Sequence, residues 1–175
     1  MNPPSSRMRP VIGVVAVALA LVLQVSVFPH VAWHGIVPNL CLLVVVAAAL
    51  TVEAPFALVL GFAAGLTLDL APPADHLAGR WALALTIAAF LAARVRQDVK
   101  PTALAVVGTV AAASFVATSL FALSGVLLSD PALSVAGLLE VVLVAVAWDV
   151  LLTPFVLPPL MKLFARLHPQ WAATP

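Results

Sequence analysis

Apolar runs, cut by short polar or proline-bearing breaks, set the plan of this chain. No lysine, arginine, aspartate or glutamate occurs from Pro10 to Val52. That run is too long for one membrane crossing, which takes about 20 residues. It is interrupted at Pro29-His30-Val31-Ala32-Trp33-His34-Gly35, where Trp33 suits a membrane interface. Helices are therefore expected at 10–28 and 38–52. Glu53-Ala54-Pro55 makes a break with little loop, because proline disfavours helix in the residue before it and is tolerated at a helix's first position. A third helix follows at 55–70. The second and third helices are short for a full span, so they read as a tight hairpin or as lying partly inside the protein. Ala71-Pro72-Pro73-Ala74-Asp75-His76 reads as a loop, and a fourth helix at 79–95 ends in Arg94, Arg96 and Lys100. Pro101 opens a fifth at 101–128, and Ser129-Asp130-Pro131 turns the chain into a sixth at 132–157. A proline-rich, basic tail closes it: Pro154, Pro158, Pro159, Lys162 and Arg166.

Composition turns this plan into a membrane protein. The 175 residues are 64% hydrophobic and 9% charged, against roughly 45–50% and about 25% in soluble domains. So few charges cannot cover a soluble surface. The expectation is one all-α integral membrane domain over residues 1–175, a polytopic bundle of six transmembrane helices. Seven basic residues (Arg7, Arg9, Arg94, Arg96, Lys100, Lys162 and Arg166) fall on one side of that plan and Arg80 on the other. By the positive-inside rule both termini are then cytoplasmic, N-in/C-in. The first apolar run has spanning length and no convincing small-x-small site follows it before Pro29, so it reads as an uncleaved helix rather than a signal peptide. The dense basic face of a nucleic-acid binder is missing. A single cysteine, Cys41, excludes an internal disulfide and a cysteine-built metal site, and in its apolar run it reads as a small buried hydrophobe.

The remaining ionisable groups are the candidates for chemistry, since each costs about 2.5–3.5 kcal/mol inside a bilayer on insertion scales unless paired or wetted. Asp69 closes the third helix, Arg80 opens the fourth, and Glu140 lies two turns into the sixth. Arg80 is expected to pair with Asp69 or Glu140, the alternative being that Asp69 and Arg80 are wetted at the headgroups. Asp149 shares a helix face with Thr153, four residues on. Pro154 lacks an N–H and frees the carbonyl at position 150, so this stretch reads as polar and kinked. Glu140 is nine positions before Asp149, on the opposite side of an ideal helix. The two acids are therefore not expected to form a dyad; Asp149 is expected to cap or pair with a neighbouring helix, the alternative being a part in a proton or ligand path. Gly61 and Gly65 form a GxxxG pattern suited to close internal packing. His30 and His34 have i, i+4 spacing but straddle Trp33 in an interfacial loop, a poor metal site. No HExxH, GxSxG or glycine-rich phosphate loop occurs, so no enzyme and no cofactor is expected.

Several of these elements together resemble the rod shape-determining MreD family. Pro38-Asn39-Leu40 looks like its Pro-(Asn/Asp)-Leu element, and Gly61-Phe62-Ala63-Ala64-Gly65-Leu66-Thr67-Leu68-Asp69 like its Gly-Phe-x-x-Gly-Leu-x-x-Asp element. Gly79-Arg80-Trp81-Ala82-Leu83 resembles the Gly-x-x-Ala-Leu segment opening the next helix, and the close on Asp149, Thr153-Pro154 and Pro158 before a basic tail is also similar. The resemblance implies a non-enzymatic, multi-pass inner-membrane member of the bacterial cell-elongation complex. It implies association with an MreC-type scaffold and, through it, with MreB and the peptidoglycan polymerase and transpeptidase. The fold it implies is similar to the six-helix substrate-binding subunits of energy-coupling-factor vitamin transporters, which supplies an alternative function. Such a subunit needs a cavity with convergent polar groups, and the outward loops offer only His30, His34, Asp75, His76 and Arg80. That poverty favours the scaffold. The residues expected to matter structurally or at partner contacts are Pro38, Asn39, Gly61, Gly65, Asp69, Arg80, Glu140, Asp149, Thr153 and Pro154.

Overall fold

The computed structural model describes residues 4–72, 77–98, 102–128 and 135–166. They form six helices: α1 (Pro4–Ser26), α2 (Leu40–Thr51), α3 (Ala54–Leu70), α4 (Arg80–Asp98), α5 (Ala103–Leu127) and α6 (Val135–Ala165). A short 3-10 turn at Phe28–Val31 follows α1. Lys100, Pro101, the 129–131 turn and loop residues 73–76, including Asp75 and His76, lie outside the described residues, as does the side chain of Arg7.

The shortest helix occupies the centre. Every residue of α2 from Leu40 to Leu50 is buried, and α2 packs against all five other helices. A helix apolar all round needs such a position. Its 12 residues reach about 18 Å, well short of a hydrocarbon core of about 30 Å. The expectation that the second helix lies inside the protein describes α2 well. The most extensive helix pair is α3 against α4, and its two glycines explain the approach. A Cβ at Gly61 would stand 2.8 Å from the Leu85 carbonyl oxygen, and one at Gly65 would overlap the Trp81 carbonyl and Ala82 Cα.

Length and composition qualify three helical stretches to cross a membrane: Met8–Ser26, Ala103–Leu127 and Gly137–Ala165. α2 and α3 are apolar but shorter, and α4 carries Arg80, Arg94, Arg96 and Asp98.

Prolines misplace two of the expected boundaries. α1 begins at Pro4 and runs through Pro10 rather than starting there. Pro10 sits within two turns of the helix end, where the carbonyl it leaves unbonded is cheap to hydrate. α6 continues to Ala165 through Pro154, Pro158 and Pro159 instead of ending at 157. Leu157 and Phe164 on that segment are fully buried, so packing overrides the local penalty. Neighbouring helices commonly compensate prolines in membrane helices. α4 likewise extends through the Arg94–Arg96 stretch to Asp98 rather than stopping at 95.

Candidate functional site

A helix that starts inside a bundle has up to four backbone N–H groups with no intrahelical partner. α2 starts this way, and polar residues from three helices meet there. Pro38, fully buried, contributes no N–H. Asn39 caps the helix, its Oδ1 accepting from the Leu42 N–H at 2.9 Å. The Asn39 N–H donates to Asp149 Oδ1 of α6 at 2.7 Å, and the Ser114 hydroxyl of α5 donates to Asp149 Oδ2 at 2.6 Å. Gln24 of α1 accepts from the Cys41 N–H at 3.5 Å, a long bond. Asp149 is 1% exposed. A carboxylate at a helix N-terminus also meets the positive end of the helix dipole. Thr153, expected beside the Asp149 carboxylate, instead donates to the Asp149 backbone carbonyl at 2.7 Å. Ser114 and Gln24 were not singled out from the sequence. The available signal was their polarity inside long apolar helices.

The start of α4 is built by the same logic. Asp69, at the end of α3 and 1% exposed, accepts from the N–H groups of Gly79 (2.8 Å), Trp81 (3.0 Å) and Ala82 (3.1 Å). Gly79 has φ +104, a left-handed conformation that glycine adopts without steric cost. Arg80 next to it turns toward the last turns of α5. Its Nε donates to Ser124 Oγ at 3.0 Å and its Nη2 to the Phe121 carbonyl at 2.7 Å. The guanidinium lies 4.1 Å over the Phe121 ring, which also stacks on Trp81. A Cβ at Gly125 would overlap the guanidinium, so this glycine makes room for it. A cation near a helix C-terminus is favoured by the dipole.

Of the two partners expected for Arg80, Glu140 lies elsewhere, against His34. Asp69 serves backbone N–H groups at the start of α4, and Arg80 ties α4 to α5. Glu140 is near His34, whose Nδ1 lies 2.6 Å from Glu140 Oε1. Both side chains are largely exposed, and the contact ties α6 to a turn in which His34 and Gly35 have positive φ. At the other end of the bundle, Arg9 Nη1 donates to both carboxylate oxygens of Glu53, joining α1 to the start of α3. The arrangement is one of ties between helices. Among the described residues no three histidine, cysteine or acidic side chains gather as a metal would require.

One wide cleft, about 530 Å³, opens between α1 and α6 over the first turns of α2, and its lining is wholly apolar. A sequence model of the family described as rod shape-determining protein MreD matches residues 5–167. No curated protein and no solved structure matches the chain.

Proposed function

The chain belongs to the MreD family of rod shape-determining proteins, and we propose that it is a non-enzymatic, multi-pass inner-membrane scaffold of the bacterial cell-elongation complex. In this reading it holds an MreC-type partner and, through it, MreB and the enzymes of lateral peptidoglycan synthesis. A membrane protein that determines rod shape follows from family membership and from its long apolar helices. The finer role is supported by one observation above all: the buried carboxylates Asp69 and Asp149 and the buried guanidinium of Arg80 are all engaged in joining one helix to another. Such a bundle offers partners a stiff body with a greasy exterior, where membrane helices associate by packing. The alternative, a vitamin-transporter subunit, calls for convergent polar groups in a cavity, and the cleft between α1 and α6 has none.

Co-purification of the full chain with an MreC-type partner in mild detergent is the decisive experiment. Failure with both proteins well expressed removes the scaffold reading. Depletion in a rod-shaped host should give round cells, whereas unchanged shape with lost vitamin uptake would favour the transporter. The proposed six-crossing, N-in/C-in topology predicts that reporters fused after residues 33, 75, 98 and 130 read outside, outside, inside and outside.

A further inference from the structure

We propose that the cleft between α1 and α6 seats an acyl chain of an anionic phospholipid whose headgroup meets the basic end of α6. Three observations carry this. The first is size. The cleft's volume of about 530 Å³ falls within the roughly 300–1,000 Å³ of small-ligand sites. A transmembrane helix about 10–12 Å across and about 30 Å long fills roughly 2,400–3,400 Å³, so it could only lie across the mouth.

The second is depth. The α1 wall runs from Ile12 to Leu23, a rise of about 16 Å. That is half of a hydrocarbon core about 30 Å thick, the depth of one leaflet and so of one lipid tail.

The third is positive charge, which among the described side chains flanking the cleft stands at one end only. The α6 wall ends at Pro159 and Leu163. Arg166 lies three residues further, one turn on along the same face, with Lys162 beside it, and both side chains are exposed. On α1, Arg9 stands one turn before Ile12, but Glu53 holds it in an ion pair, so among the described side chains the excess positive charge belongs to α6. At the other end, the nearest polar side chain beyond Leu23 is the uncharged Gln24. Basic pockets between membrane helices bind anionic headgroups in this way. An apolar slot of one-leaflet depth with Lys162 and Arg166 at its mouth complements a lipid with a negative headgroup.

The inference goes beyond the shape-determining role, and its readout is lipid retention, so either can fail without the other. The full-length protein is reconstituted in equal amounts of phosphatidylglycerol and phosphatidylcholine, extracted in mild detergent and weighed by native mass spectrometry. Phosphatidylglycerol should be retained in preference to phosphatidylcholine by roughly thirtyfold, from two nearby cations. The double variant Lys162→Gln/Arg166→Gln, at exposed positions where folding is not at stake, should bring the two lipids close to equal. Leu19→Trp, at the exposed rim of the cleft, should reduce retention of both. Equal retention by the natural chain overturns the proposal, as does a preference that survives the double variant. Displacement of the lipid by a co-purifying protein helix, itself blocked by Leu19→Trp, would overturn it in favour of a helix-docking groove.

Discussion

Asp69 and Asp149 are both buried carboxylates that accept backbone N–H groups at the start of another helix, yet they build very different joints. Asp69 reaches ten to thirteen residues along the chain, closing a hairpin between consecutive helices. Asp149 reaches 110 residues, to a helix start inside the bundle where Ser114 also converges. The first joint forms once α3 and α4 pack, and the exposed residues Leu77 to Gly79 flank it. The second requires α2, α5 and α6 to be in place together. Where water is excluded, unpaired backbone groups are costly, and only protein groups can satisfy them. A local cap therefore orders one hairpin, whereas the remote one reports on the whole bundle.

Substitutions should break or sharpen this contrast in a set order, read by thermal or detergent-induced unfolding of the purified chain. The largest effect is expected for Asp149→Ala, which strands the Asn39 N–H and the Ser114 hydroxyl: roughly 2–6 kcal/mol, at about 1–3 for each buried orphan. A loss no larger than that of Asp69→Ala would mean that water reaches the start of α2, and the contrast would disappear. Gly65→Ala should follow at about 1–3 kcal/mol through overpacking against the α4 backbone. Because it separates the two helices that Asp69 joins, Asp69→Ala should then cost less in that background than alone. Asp69→Ala by itself should cost about 1–2 kcal/mol, the range of a lost helix cap that water can partly replace. Ser114→Ala should cost about 1 kcal/mol, and almost nothing once Asp149 is already alanine, which a double-mutant cycle would measure. Glu140→Ala should fall at the bottom, below about 1 kcal/mol, as an exposed ion pair does. A larger loss would show that the turn at His34 is tied into the core.

Much of the local plan was legible. The breaks at Glu53-Ala54-Pro55 and near Gly79 lie where α3 and α4 begin, because proline, glycine and the end of an apolar run act within a few residues. Asp69 stood out as an ionisable group closing an apolar helix and ending the Gly61–Asp69 motif. Asn39 and Asp149 each looked significant, but nothing local links positions 110 apart. Charge pairing suggested a carboxylate near Arg80, but nothing local on α5 signalled that the Ser124 hydroxyl and the Phe121 carbonyl and ring would receive the guanidinium. The run through Pro154, Pro158 and Pro159 was misread as a stop because proline's penalty is local and visible, while the burial of Leu157 and Phe164 that offsets it is not.

The sequence by itself determined that the chain lives in a membrane, how many helices it makes and nearly where most of them begin, since hydrophobic run length and helix-breaking residues are short-range properties. Its motifs also determined the family. The tertiary structure decided which helix is central, which buried acid caps which helix, and how α1 and α6 leave a slot between them. Those depend on helix ends meeting across the bundle, and apolar helices of similar composition carry no code for which neighbour they will face.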